Sequence, residues 1–120
     1  MTGRQRLGQL GEMLAATELE QRGYTILARN WRCRYGELDL VARDGDTLAA
    51  IEVRTRRSQT YGTPEESLTT AKQTRLAAAA QTYVQSVGWD GPWRIDVVAI
   101  MIGPRGHVKR LTVIANAVEG

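Results

Sequence analysis

Apolar residues near the start of the chain recur at helical spacing. Leu7, Leu10 and Leu14 form one stripe and Gly23 follows as a stop, which predicts a helix over 4–22. Tyr24 to Trp31 reads as a strand. The next segment, GELDLVARDGDTLAAIEVRTR at 36–56, alternates on both sides of Asp44-Gly45, a strong hairpin signal. A turn centred there pairs Arg43 with Asp46, Val41 with Leu48, Asp39 with Ala50 and Glu37 with Glu52. One face of the hairpin then carries Leu38, Leu40, Ala42, Ala49, Ile51 and Val53. The other carries Glu37, Asp39, Val41, Leu48, Ala50, Glu52 and Arg54.

Residues 58–63 read as a loop. Thr63-Pro64-Glu65-Glu66 has the form of a capping box and predicts a second helix running to about Val87, stopped by Gly88. Trp93 to Ile102 is a strand, Gly103 to Gly106 a turn, and Val108 to Ile114 a last strand. Helix, three strands, helix and two strands predict one α/β domain with a mixed sheet of about five strands flanked by helices.

Composition narrows the chemistry. A chain of 120 residues, 42% of them hydrophobic, can bury one core. No run approaches the roughly 20 apolar residues of a membrane span. MTGRQRLGQLGEML leads straight into a helical pattern without a signal peptide's apolar stretch, so a cytoplasmic protein with no membrane partner is expected. Cys33 is the single cysteine and His107 the single histidine, which removes thiolate clusters, most zinc sites and Ser/His/Asp triads. Net charge is +3, and of sixteen basic residues only Lys72 and Lys109 are lysines. Coding bias in a GC-rich genome is the plainer explanation of an arginine excess, but the arginines also cluster. Arg29, Arg32 and Arg34 precede the acidic segment, and Arg54, Arg56 and Arg57 follow it. Their planar forks suit phosphate oxygens.

Two or three carboxylates on one strand face repel one another unless a cation is shared. Asp39, Glu52 and Glu37 therefore suggest a hard divalent ion, Mg2+ or Mn2+, which takes oxygen ligands and often bridges carboxylates to a substrate phosphate. The plainer alternative is a solvent-exposed polar face on which Arg54 neutralises Glu52. Asp96, between Ile95 and Val97, reads either as a further site carboxylate or as an exposed strand position. Trp31, Trp89 and Trp93 read as packing residues.

Asp39 followed by Glu52-Val53-Arg54 on the adjoining strand resembles the D…(D/E)-X-K motif of the restriction-endonuclease-like, or PD-(D/E)XK, superfamily. Gly11-Glu12, Gly36-Glu37-Leu38-Asp39-Leu40, Ile51-Glu52-Val53-Arg54-Thr55-Arg56, Gly62, Lys72 and Arg94-Ile95-Asp96-Val97-Val98 together resemble the bacterial YraN-type family over almost the whole chain. The resemblance implies a restriction-endonuclease-like fold and kinship with archaeal Holliday junction resolvases. It also implies that Asp39 and Glu52 are metal ligands, with the Val53 carbonyl as a third. Glu12 would match an acidic residue supplied from the first helix, where Gly8, Ala15 and Ala16 permit close approach to the sheet. Arg54 departs from the motif, which has lysine there. It stays protonated and cannot act as a base, although it can stabilise charge on a phosphate. Lys72 shares a helical stripe with Leu68, Leu76, Ala79 and Tyr83, and either reaches over the sheet to do the lysine's work or snorkels from the core edge.

The expected function is metal-dependent hydrolysis of nucleic-acid phosphodiesters, with Glu12, Asp39, Glu52, Arg54 and Lys72 catalytic and Arg34, Arg56, Arg57 and Tyr61 holding the strand. The kinship points to branched or structured DNA and to a homodimer. A nucleic-acid-binding protein that has lost cleavage through Arg54 is the alternative. A protein-interaction module is a third, and it predicts no ion at Asp39.

Overall fold

The structure is a computed structural model that describes residues 2–57 and 62–118. Its elements are α1 (Gly3–Gln21), β1 (Thr25–Cys33), β2 (Gly36–Asp44), β3 (Thr47–Arg56), a 3-10 turn (Glu65–Ser67), α2 (Thr70–Ser86), β4 (Trp93–Ile102) and β5 (Val108–Val118). The five strands form one sheet in chain order, β1-β2-β3-β4-β5. β3 and β4 run parallel, joined by the α2 crossover, and every other neighbouring pair is antiparallel. The expected α/β architecture and order of elements are therefore present. No helix among the described residues is long and apolar enough to cross a membrane.

One helix covers each face. α2 buries Leu76, Ala79, Ala80, Tyr83 and Val84 against Leu38, Val41, Leu48, Ala50 and Ile95, and all three tryptophans pack at the margin of this cluster. α1 buries Ala15, Ala16 and Leu19 against Leu40, Ala42, Ala49, Ile51, Val98, Ile100 and Ile102. The expected Leu7/Leu10/Leu14 stripe is only half-buried. The contact face is Gly11, Ala15, Ala16 and Leu19 instead, small residues that bring the helix axis close to β3. At Gly11 the approach is tightest, since a Cβ there would overlap the Thr55 hydroxyl. This close contact turns Glu12 towards the sheet.

Two further expectations are corrected. The hairpin turn is Gly45-Asp46, with Asp44 paired to Thr47, Arg43 to Leu48 and Val41 to Ala50. Gly45 has φ +62°, as a two-residue turn with glycine first requires. Asp44, kept in the strand, accepts a hydrogen bond from Arg94 at 2.9 Å. The register thus differs by two residues from the Asp44-Gly45 pairing, which leaves the alternation of faces unchanged except at Leu38. Secondly, Thr63 and Glu66 do form a capping box, but it closes only the 3-10 turn. Leu68 is extended and packs into the α2 cluster, and Thr69 caps the helix proper through a bond from the Lys72 N–H.

Candidate metal and phosphate site

The site forms where β2 and β3 stop pairing, while β1 and β2 stay paired beside them. Asn30 in β1 adopts the left-handed conformation, φ +51°, opposite Asp39 in β2. Asparagine tolerates this geometry better than most residues. Leu40 packs with the α1 cluster while Leu38, two residues away, packs with the α2 cluster, so β2 twists through Asp39. The β2–β3 ladder ends at Leu40–Ile51. One step further, the Val53 N–H donates to Asp39 Oδ2 at 2.7 Å, so a side-chain carboxylate fills the place of a strand carbonyl. A residue's N–H and C=O point to the same edge of its strand, so the Val53 carbonyl is also directed towards β2.

Continuing the observed register sets Asp39 across from Glu52, closer than the diagonal relation expected from sequence. Asp39 is pushed up to about 8, first by burial and then by the Glu52 carboxyl beside it; the Val53 N–H and Arg54 oppose the shift. Asp39 therefore resists carrying charge beside Glu52, and a proton or a cation would relieve it. Among the described residues no three carboxylate, imidazole or thiol groups converge as a metal cluster. Asp39 and Glu52 are thus a two-carboxylate arrangement, in which any further ligands would be backbone, water or substrate oxygens.

Glu12 faces the same region from α1. Its carboxyl is raised by burial and by Asp39. Three carboxylate oxygens surround one end of the Asn30 amide, which identifies that end as nitrogen. It donates to Glu37 Oε1 at 3.1 Å and to Glu12 Oε1 and Oε2 at 3.2 and 3.1 Å. Glu37, expected directly across from Glu52, instead ion-pairs with exposed Arg32 at 3.6 Å. It still lines the cleft that Glu52 lines.

Arg54 extends from β3 towards the 3-10 turn, where Nε and Nη2 both donate to Ser67 Oγ at 2.9 and 2.8 Å. That turn is clamped in turn by Arg110, which donates to Glu65 at 3.1 and 3.3 Å. Lys72, half-buried in the first turn of α2, lines the cleft of about 190 Å³ shared by Glu37, Glu52 and Arg54. Arg56 stands at the exposed end of β3 and Arg57 just beyond it. Arg34 is not drawn in: it lies at the β1–β2 turn with its guanidinium over the Tyr35 ring, 4.7 Å from the centroid, and bonded to the Tyr35 hydroxyl. Tyr61 lies outside the described residues.

Asp96 is neither of the alternatives considered for it. It is fully buried, accepts from Arg94 Nε at 2.9 Å, from the Tyr24 hydroxyl at 3.2 Å and from the Asn116 N–H at 2.9 Å, and pins a bulge in β5. Sequence reasoning missed Asn30 and Ser67. An asparagine between Arg29 and Trp31 in a strand was a visible signal for the first; nothing marked Ser67.

The family model described as "Uncharacterised protein family UPF0102" matches residues 11–100, a span that holds Glu12, Asp39, Glu52, Arg54 and Lys72. A UPF0102 protein of Roseiflexus castenholzii is 48% identical over 122 residues, covering 99% of this chain and 98% of the relative. Another, from Symbiobacterium thermophilum, is 49% identical over 113 residues, covering 93% and 95%. A third, from Syntrophus aciditrophicus, is 44% identical over 120 residues, covering 99% and 93%. The chain belongs to the UPF0102 family.

Proposed function

We propose that this protein is a metal-dependent endonuclease acting on nucleic acid, with DNA the preferred substrate. The observation that carries the reading is the Asp39–Glu52 pair: the two carboxyls meet across β2 and β3, and burial together with the Glu52 carboxyl pushes that of Asp39 up. The donor set fits Mg2+ or Mn2+: oxygen ligands only, two of them carboxylates, with the Val53 carbonyl aimed to the same side. A divalent ion there supplies Lewis-acid polarisation of a phosphodiester. Asp39 and Glu52 would hold it, the Val53 N–H fixes the Asp39 rotamer, and Arg54 and Lys72 place positive charge beside the phosphate. Glu12, with its raised carboxyl, is placed to accept or hold a proton near Asp39. The Asp39 and Glu52-Val53-Arg54 pattern resembles the PD-(D/E)XK nucleases, and that kinship points to branched or structured DNA and to a homodimer.

A second reading, binding without cleavage, is favoured by one observation. The Arg54 guanidinium is tied to Ser67, so the motif lysine's position is filled by a group that neither deprotonates nor moves freely. Both readings are separated by incubating linear, nicked and four-way-junction DNA with Mg2+ or Mn2+. Metal-dependent cleavage should fall by on the order of a hundredfold or more in Asp39→Ala and in Glu52→Ala. Cleavage indifferent to both substitutions ends the endonuclease reading. Binding without cleavage in the wild type, with cleavage appearing in Arg54→Lys, supports the second.

A further inference from the structure

Beside the carboxylate pair lies a second cleft, of about 370 Å³, between α1 and the carboxyl end of β3. Four cations line it, Arg4, Arg54, Arg56 and Lys72, and no carboxylate does. None of the four has a carboxylate partner among the described residues, whose ion pairs involve Arg22, Arg32, Arg94 and Arg110 instead. Arg54 and Lys72 also face the carboxylates of the neighbouring cleft, but no ion pair among the described residues offsets Arg4 or Arg56, and like charges gathered around one concavity repel.

Helix electrostatics sharpens the point. Arg4 is in the first turn of α1 and Lys72 in the first turn of α2, and neither first turn holds an acidic residue. A helix's N-terminal end favours negative charge, so both cations sit at the wrong end of their own helices. An anion in the cleft relieves these costs, because it meets all four cationic side chains. The cleft also has room. Gly8 forms part of its wall, and a Cβ built there would meet nothing within 4 Å.

We propose that this cleft is a phosphate subsite. It takes a phosphate of the bound strand neighbouring the one at Asp39 and Glu52, and it fills without a metal ion. Arg54 and Lys72 line both clefts and so join the two positions. The identity of the ligand as a nucleic-acid strand rests on the function proposed above; the site itself rests on the cations and the cleft.

Gly8 provides the test, since a side chain there enters the cleft without disturbing packing. In Gly8→Glu the gain in helix propensity offsets repulsion from Glu12 four residues on, so the variant should fold like the wild type. Inorganic phosphate titrated into the metal-free protein should shift the backbone amide resonances of Gly8, Thr55, Arg56 and Lys72. Affinity should be roughly tenfold or more weaker in Gly8→Glu and in Arg4→Gln, and retained in Gly8→Ala. Shifts centred elsewhere, or a Gly8→Glu protein that binds phosphate like the wild type, overturn the subsite. A short single-stranded oligonucleotide, also without metal, should be displaced by phosphate and lose affinity in Gly8→Glu. An oligonucleotide that binds Gly8→Glu undiminished overturns the assignment to a strand phosphate. No divalent ion enters these measurements, so absence of cleavage bears on the endonuclease reading and leaves the subsite standing.

Discussion

Two aspartates sit in the middle of this sheet, and their surroundings could hardly differ more. Asp96 is sealed from solvent yet receives bonds from a guanidinium, a phenol and a backbone amide. Arg94, its main partner, also reaches Asp44 and the Tyr24 hydroxyl at 2.9 and 2.8 Å, so both carboxylates of the cluster share one guanidinium. Asp39 is less deeply buried and receives one backbone amide, with a second carboxyl as its neighbour. The first arrangement stabilises a bulge and the edge strand. The second sets two carboxyls against each other with only one backbone amide and Arg54 to offset them, the kind of perturbed pair that marks a candidate site.

The largest effect should come from breaking the satisfied aspartate. Asp96→Ala removes the acceptor for three donors at once and leaves half-buried Arg94 paired with Asp44 alone. A loss of about 3–5 kcal/mol in unfolding free energy is expected, measured by denaturant titration. A loss below about 1 kcal/mol would show that the network is dispensable and the contrast with Asp39 misdrawn.

Removing the frustrated aspartate should act in the opposite direction. Asp39 ionises near pH 4 in the unfolded chain and near 8 in the folded one, so between these values the native state binds the extra proton. Stability contributed by the protonated form is complete below the lower value and lost as pH rises through the upper one. Metal-free wild type should therefore weaken towards alkaline pH. Asp39→Asn keeps an oxygen for the Val53 N–H, removes that slope, and above about pH 8 should be more stable by on the order of 2 kcal/mol. Mg2+ or Mn2+ should raise the wild-type melting temperature more at pH 8 than at pH 6 and leave Asp39→Asn unmoved. A variant as pH-dependent as the wild type would remove Asp39 as the source of strain.

The difference between the two aspartates was only half legible in the sequence. Period-2 alternation marks which residues share a face, and it correctly put Asp39 and Glu52 together. It is blind to a register shift of two, because such a shift returns every side chain to its own face. Asp44-Gly45 and Gly45-Asp46 both offer a glycine for a tight turn, and the observed one leaves Asp44 in the strand, where Arg94, fifty residues away, donates to it. Asp96 was ambiguous for the same reason: its partners come from α1's exit, from β4 and from β5, none adjacent in sequence except Arg94. Ahead of α2 the capping box at Thr63 is real but starts only the 3-10 turn, and half-buried Leu68 is extended where it packs against the core, so the helix begins at Thr70. Asp39's approach to Glu52 goes with the change of face in β2 between Leu38 and Leu40, and Asn30 across from it holds a conformation that propensity permits and only the surrounding sheet selects.

The smallest effects make the finest comparison, using one neighbour of each aspartate. Tyr24 donates to Asp96 and accepts from Arg94, so Tyr24→Phe leaves a buried carboxylate short of one donor and should cost about 1 kcal/mol. Glu12 stands towards Asp39 as Tyr24 does towards Asp96, but adds repulsion where Tyr24 adds a bond. Glu12→Gln removes that repulsion and retains an oxygen for the Asn30 amide, so the metal-free protein should be unchanged or more stable by about 0.5 kcal/mol. The same substitution should weaken metal-dependent cleavage, which a merely relieved surface glutamate would not. If Glu12→Gln instead destabilises the apo protein as Tyr24→Phe does, the two carboxylate clusters are of one kind, and the acidic one owes its shape to folding alone.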